Sequence, residues 1–313
     1  MDASGFLVVG ACLTAGLALR RQPRLPPDAA RALSTFVIWV PLPALVIVKL
    51  HALLHEPSAL RSAWVPASMA WIQIVLAVLV ARGLRAPLRL SRASEGALAL
   101  TLGLGNTAFL GYPLVEALLG APALPFAVVA DQAGSFLVLS TVGVLIASSY
   151  GPSGAQAGQG LRAALEKIAR FPPTFALLAA IVASPWSLPA AVITALDKLS
   201  LALVPASLVA VGLQLRLGRE EITARGRALG GGLALKLLVF PLVFLGLYVG
   251  LLRQRGLPVQ TTILQAAMPP MVTAAVLVEE AGLDTELASA MIGVGIVVAL
   301  VSVPLWSVVV GRF

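Results

Sequence analysis

Two ionisable residues lie inside long apolar stretches of this 313-residue sequence, Asp131 and Lys236. A charged side chain at membrane depth costs about 2.5–3.5 kcal/mol on insertion scales, so it usually has a partner or a function. Asp131 could bind a coupling proton or Na⁺, or it could be a structural partner of Lys236. Lys236 could attract an anion, pair with Asp131, or extend its ammonium to the membrane interface.

Two apolar runs carry a polar residue followed by helix-breaking residues. Asn106 precedes Gly111 and Pro113 in the first run, and Gln265 precedes Pro269-Pro270 in the second. Proline lacks an amide donor and clashes with the carbonyl four residues back, so each helix is predicted to break rather than only to kink. Backbone groups freed at this depth must face protein or a wet cavity. A matched pair of breaks indicates a midplane site where helix N-termini face an anion.

Membrane helices are the elements that would hold these residues. The chain is 59% hydrophobic and 12% charged, with a mean hydropathy of +0.96, whereas soluble domains are roughly 25% charged. The apolar runs are continuous rather than alternating, which favours helices over a β-barrel. We predict an all-α polytopic membrane protein with ten transmembrane helices: Ser4–Leu19, Ala32–Leu50, Ala63–Ala81, Gly96–Gly120, Pro125–Ser148, Phe171–Trp186, Ile193–Leu215, Ala228–Leu252, Val259–Val278 and Leu287–Val310.

A Gly/Ser/Gln-rich linker divides the ten predicted helices into two sets of five. Residues 1–149 form the first predicted repeat, 150–170 a cytoplasmic linker with an amphipathic interfacial helix, and 171–313 the second repeat. Because five is odd, the second repeat is inverted relative to the first. The segment Pro43–Val48 resembles Pro205–Val211, and the broken helices 4 and 9 occupy corresponding positions.

Basic residues cluster in the turns between apolar runs. If the N-terminus is outside, 15 of the 22 Lys and Arg residues fall in cytoplasmic turns, as the positive-inside rule requires. We therefore predict a multi-pass protein of the cell (inner) membrane with both termini non-cytoplasmic. The acidic turn Glu279–Glu286 would also be cytoplasmic, but acidic residues influence topology weakly. These cations are topology signals, so no nucleic-acid partner is predicted.

Few residues of the chain suit catalysis or metal binding. Cys12 is the single cysteine, and the two histidines, His51 and His55, lie in a predicted loop. Neither a metal site nor a cofactor is predicted. The spans contain no histidine, no HExxH motif and no GxSxG motif, so the protein is predicted not to be an enzyme. A membrane sensor that binds a ligand without transporting it stays open as an alternative to a transporter.

The interrupted runs resemble motifs of the auxin efflux carrier family and its prokaryotic relatives, within the bile-acid-transporter-like superfamily. Asn106–Pro113 (Asn-Thr-Ala-Phe-Leu-Gly-Tyr-Pro) is similar to the fourth-helix motif, and Gln265–Pro269 (Gln-Ala-Ala-Met-Pro) to the ninth-helix motif. Lys236 with Pro241 resembles a basic residue and proline of the eighth helix. The resemblance covers nearly the whole chain. The long cytoplasmic loop of plant carriers is absent and the segment His51–Pro57 differs, which indicates a short prokaryotic member.

This resemblance implies both an architecture and a function. The architecture is a scaffold domain plus a transport domain whose broken helices cross, often within a homodimer. The function is secondary transport of a small organic anion such as a carboxylate by elevator-type alternating access, with the lipid bilayer as solvent and no cofactor beyond a coupling proton or Na⁺. The residues implied to frame the substrate are Asn106, Gly111, Tyr112, Pro113, Gln132, Gln265, Pro269 and Pro270.

Overall fold

The computed structural model describes residues 3–151, 171–215 and 225–313, and every regular element within these ranges is a helix. Six of the described helices are long and apolar enough to cross a membrane: Ala29–Leu54, Pro57–Arg85, Ala121–Tyr150, Ala190–Gln214, Gly226–Leu251 and Thr285–Val310. Numbered in chain order, the helices are α1 (Ala3–Leu19), α2 (Ala29–Leu54), α3 (Pro57–Arg85), α4 (Arg92–Gly103), α5 (Gly111–Leu119), α6 (Ala121–Tyr150), α7 (Pro172–Ala183), α8 (Ala190–Gln214), α9 (Gly226–Leu251), α10 (Leu257–Ala266), α11 (Val272–Glu280) and α12 (Thr285–Val310).

These helices overlap the predicted spans. The six long helices cover six of them, and the shorter apolar helices α1 and α7 cover two more. Each of the two remaining spans is divided, the fourth into α4 and α5 and the ninth into α10 and α11. The predicted interfacial helix at 161–170 lies outside the described residues. The ten membrane crossings and the inverted relation of the two sets stay predictions.

The first break lies before Pro113 rather than at it. Backbone φ and ψ of −108° and 104° at Leu104 end α4, and α5 begins at Gly111. Pro113 is therefore in the first turn of α5, where its missing amide hydrogen has no helical acceptor to lose. In the second segment, by contrast, Pro269 and Pro270 lie inside the break itself. The prediction that each helix breaks at its prolines is therefore confirmed only for the second segment.

The helices pack in two groups. In the first, called the four-helix group, α8 packs against α1 and α2, and α7 packs against α2. The second, called the crossover group, contains α3, α4, α5, α6 and α9–α12, with α3 against α4 and α6, and α12 against α4 and α9. The groups meet chiefly where α5 contacts α1 and where α6 contacts α2. The breaks in both interrupted segments lie within the crossover group.

Close backbone contact joins α1 to α8. A Cβ added to Gly16 would lie 2.8 Å from the Cα of Gly212, and one added to Gly212 would lie 2.5 Å from the carbonyl oxygen of Leu13. Only glycine therefore fits at either position, as at many close crossings of membrane helices. This contact ties residues of the first predicted repeat to residues of the second.

Candidate functional site at the two helix breaks

The two breaks bond to each other through their main chains. The N–H of Asn106 donates to the carbonyl of Pro269 (2.8 Å), and the N–H of Met271 donates to the carbonyl of Leu104 (3.0 Å). Gly105 and Pro270 form an isolated antiparallel bridge between these bonds. Residues about 160 positions apart in the sequence thus bond through their backbones in the interior.

Two glutamines from other helices donate to three carbonyls at the first break. Gln73 of α3 donates its Nε2 to the carbonyls of Leu102 (3.2 Å) and Gly103 (3.1 Å), the last carbonyls of α4. Gln265 of α10 donates its Nε2 to the carbonyl of Thr107 (3.1 Å). These three carbonyls are therefore paired at depth, as burial favours. Sequence analysis missed Gln73, whose signal is a carboxamide within an apolar span.

Three donors surround the carboxylate of Asp131. Thr107 Oγ1 donates to Oδ1 (2.5 Å), while Tyr112 Oη (2.8 Å) and Gln132 Nε2 (2.7 Å) donate to Oδ2. Asp131 and Gln132 lie in a π-helical stretch of α6, Ala130–Phe136, and such stretches recur at functional sites. The set matches the acceptor capacity of a carboxylate. Tyr112 and Gln132 thus bind Asp131 here, and Thr107 joins the site although the sequence did not single it out.

Lys236 is fully buried beside the crossing backbone. Its Nζ would be 3.2 Å from a Cβ on Gly105, a position also near the carbonyls of Gln265 and Met268. Within the described residues this Nζ has no hydrogen-bond partner. Lys236 also lies in a π-helical stretch, Leu235–Val239. The predicted alternative that Lys236 pairs with Asp131 is wrong for this structure, because the described ion pairs do not include it and three other donors hold that carboxylate.

Gly111 gives the carboxamide of Gln265 room to reach the first break. A Cβ on Gly111 would overlap the Oε1 of Gln265 and would lie 3.1 Å from its Cδ and Nε2. Pro270 packs on Gly295 of α12, where an added Cβ would be 3.1 Å from the proline Cδ. A side chain at Gly111 would therefore move the carboxamide of Gln265, and one at Gly295 would crowd Pro270.

A cavity of about 610 Å³ lies between the four-helix group and the first turn of α5. Tyr112 and Pro113 line its inner wall, and Lys49 and Glu116 add charge. Lys49 forms an ion pair with Asp197 of α8 (3.8 Å). The other predicted site residues do not line this cavity: Asn106, Gly111, Gln132, Gln265, Pro269, Pro270, Asp131 and Lys236. The ring of Tyr112 therefore lies between the cavity and the Asp131 network.

Asp131 and Lys236 differ in the partners that the crossing gives them. Four helix ends meet at the crossing: the N-termini of α5 and α11 and the C-termini of α4 and α10. Their partial charges of about half a unit each nearly cancel. Asp131 is bonded by three donors, whereas the described part of the chain offers the Nζ of Lys236 no acceptor. Of the two ionisable groups, Lys236 is therefore the one whose hydrogen-bonding capacity is unused among the described residues.

Comparison with known proteins identifies the family of the chain. Residues 6–307 match the family described as "Membrane transport protein". A protein of Methanothermobacter thermautotrophicus described as "Uncharacterized transporter" is 36% identical over 206 residues, which cover 65% of this chain and 64% of the relative. The matched part thus spans slightly less than two thirds of that relative. Because the family match covers nearly the whole chain, this protein belongs to the membrane transport protein family, that of the auxin efflux carriers.

Proposed function

We propose that this protein is a secondary transporter that carries a small organic anion such as a carboxylate across the cell (inner) membrane, with substrate bound at the crossing of the two breaks. The observation that carries the proposal is the buried ammonium of Lys236 beside Gly105, with no partner in the described residues. An unpaired charge in an apolar interior is costly. A carboxylate or similar weak-acid anion would offset that cost while bound.

The polar atoms of the crossing support a carboxylate in particular. The buried side chain of Asn106 accepts through its Oδ1 from the N–H of Leu110 (3.2 Å). Its carboxamide nitrogen makes no hydrogen bond to any described residue. Together with Lys236 it offers N–H donors to an anionic oxygen. The buried Oε1 atoms of Gln132 and Gln265 lack partners among described residues and could accept from a hydroxyl or protonated group of the same substrate.

Transport would proceed by elevator-type alternating access of the crossover group against the four-helix group. The separate packing of the two groups, which meet chiefly at α5–α1 and α6–α2, supports this movement. The 610 Å³ cavity lies along that boundary. We extend the proposal to ten crossings in two inverted repeats with both termini outside, for which the charge bias of the turns is the support.

Two further properties belong to the same proposal. Asp131, next to the crossing, is the residue we assign to a coupling proton or Na⁺, with no other cofactor. A homodimer is proposed from the family resemblance and from the exposure of α8, of which only 17% of its most apolar window is buried within the chain. That face is available to lipid and to a second copy.

Uptake into proteoliposomes tests the proposal. We would measure labelled malate, malonate and indole acetate, with pH and Na⁺ gradients imposed separately, for the wild type and for Asn106→Ala and Lys236→Met. Flux of at least one acid is expected in the wild type, with a loss of about tenfold or more in both variants because each removes a donor to the anion. Dependence on one gradient would identify the coupling ion.

Control variants separate loss of the site from loss of the fold. Leu238→Met alters the same stretch of α9 at a half-exposed side chain (50%), and Gln22→Ala alters an exposed carboxamide; both should transport normally. Flux indifferent to Asn106 and Lys236 would move the substrate elsewhere. Saturable binding without flux, under every gradient, would favour the membrane sensor instead.

A further inference from the structure

A second buried polar network lies at the far end of α4 from the crossing. The side chain of Glu95, in the first turn of α4, is 1% exposed. Tyr150 Oη, at the end of α6, donates to its Oε1 (2.8 Å), and Arg85 Nη1, at the end of α3, lies 3.3 Å from its Oε2. A carboxylate in a first helical turn is also stabilised by the positive helix end. Glu95 thus links three helices of the crossover group.

A hydrogen-bonded chain joins the N-cap of α4 to the N-cap of α12. Ser91 Oγ accepts from the N–H of Ser94 (3.0 Å), and Ser94 Oγ donates to Asp284 Oδ2 (2.6 Å). Asp284 Oδ1 accepts from the N–H of Leu287 (3.1 Å) and so caps α12. Arg225 Nη2, just before α9, completes the network 3.2 Å from Asp284 Oδ2. Two helices from different predicted repeats therefore begin at one shared cluster.

Glycine contacts hold these ends closely together. A Cβ on Gly96 would lie 2.6 Å from the Cβ of Tyr150, and one on Gly151 would lie 2.8 Å from the carbonyl of Ala281. Two of the three chain connections between the four-helix group and the crossover group also attach here, since α6 ends at Tyr150 and α9 begins after Arg225.

We propose that Glu95 and Asp284 are positioning residues that fasten the N-terminal ends of α4 and α12 to α3, α6 and α9, so that the crossing keeps its geometry as the crossover group moves. They act through the crossing and do not contact the substrate. The expected effect on flux rests on the proposed transport function. The expected effect on the backbone of the crossing, which is the structural half of the inference, does not.

Hydrogen exchange tests the structural half without any substrate. In Glu95→Gln/Asp284→Asn, which keeps side-chain volume, the amides of Asn106 and Met271 should exchange about tenfold faster than in the wild type. Amides of α8 should be unchanged. The matched control is Glu286→Gln, which removes an exposed acid (62%) lying 3.8 Å from the same Arg225 and should change neither amide. Wild-type exchange at both amides in the double variant would overturn the proposal.

A disulfide in place of the hydrogen bond tests whether the fastening must hold during transport. The double variant Ser94→Cys/Asp284→Cys is made in a Cys12→Ala background, because Cys12 is the one native cysteine. The two main chains are close enough for a disulfide, since the amide nitrogen of Asp284 lies 3.5 Å from the carbonyl oxygen of Ala93. Oxidised protein should recover exchange and flux to within about twofold of a Cys12→Ala control, and reduced protein should not.

The outcomes distinguish this inference from the proposed function. Block of flux by the oxidised disulfide, with the Cys12→Ala control active, would mean that the cluster opens during the cycle and would overturn the inference. Absence of flux in the control would contradict transport, while exchange at Asn106 and Met271 would still decide whether the network positions the crossing.

Discussion

The two helix breaks differ in how their backbone groups are paired. At the first break, between α4 and α5, side chains from other helices donate to backbone carbonyls. At the second, between α10 and α11, consecutive prolines reduce the number of amide hydrogens that need acceptors. Gln73 and Gln265 serve the carbonyls of the first break. Pro269 and Pro270 carry no amide hydrogen at all. Among the described residues, the main-chain bonds shared between the breaks are those around the bridge of Gly105 and Pro270.

This difference shows two ways to interrupt a helix at membrane depth. The second break is determined locally, because its residue types lack the donors that would otherwise need acceptors. The first is determined by tertiary structure, because it requires carboxamides from α3 and α10. Substitutions at positions distant in sequence from a break should therefore disrupt the first break more than the second.

The largest effect is expected from Gly111→Ala, which disrupts the contact between Gly111 and the carboxamide of Gln265. The new Cβ would overlap the carboxamide of Gln265 and push it from the carbonyl of Thr107, which would lose its buried donor. Flux should fall by about 100-fold, since leaving a buried acceptor unpaired costs up to about 3 kcal/mol. Uptake in proteoliposomes measures it. The control is Gly230→Ala in α9, where nothing lies within 4 Å of an added Cβ; flux equal to this control's would contradict the tertiary dependence of the first break.

Gln73→Leu should have the next largest effect. It leaves the carbonyls of Leu102 and Gly103 without their buried donor, which should lower the free energy of unfolding in detergent by about 1–3 kcal/mol. Denaturant titration measures the change, with the exposed Gln22→Leu as control. Undiminished stability would mean that those carbonyls find other donors, and that the first break does not depend on α3.

Pro269→Ala should have the smallest effect of the three. It adds an amide hydrogen at a buried position of the break and should reduce the free energy of unfolding by about 1 kcal/mol. The matched control is Pro304→Ala inside α12, where the new amide can pair with the carbonyl four residues back and stability should be equal or greater. If Pro269→Ala proved more harmful than Gln73→Leu, the contrast between the local and the tertiary break would be reversed.

The positions of the apolar helices and of both interruptions could be predicted from sequence because lipid imposes simple rules on length and backbone pairing. Asn106, Gln265 and Pro269 were recognisable as polar or helix-breaking residues within apolar runs, and the structure brings them together. Pro113 shows the limit of that rule. Its position in the first turn of α5 rather than in the break depends on where α4 ends, which the proline does not determine.

Side-chain partners across the sequence could not be predicted in the same way. Gln73 bonds carbonyls 29 and 30 residues away, and neither helical periodicity nor residue type specifies such a pairing. Likewise, a lone acid and a lone base in the spans suggested an ion pair, but Thr107, Tyr112 and Gln132 take the carboxylate. Partner choice among buried polar groups depends on the packed geometry.

The bridge between the breaks also sets an order of events during synthesis. Gln265 follows Thr107 by 158 residues, so at 5–20 residues per second a ribosome needs on the order of 10–30 s to supply the second break after the first. For that interval the amide of Asn106 and the carbonyl of Leu104 have no native partner. Until the second half is made, these two groups therefore need water or another hydrogen-bond partner.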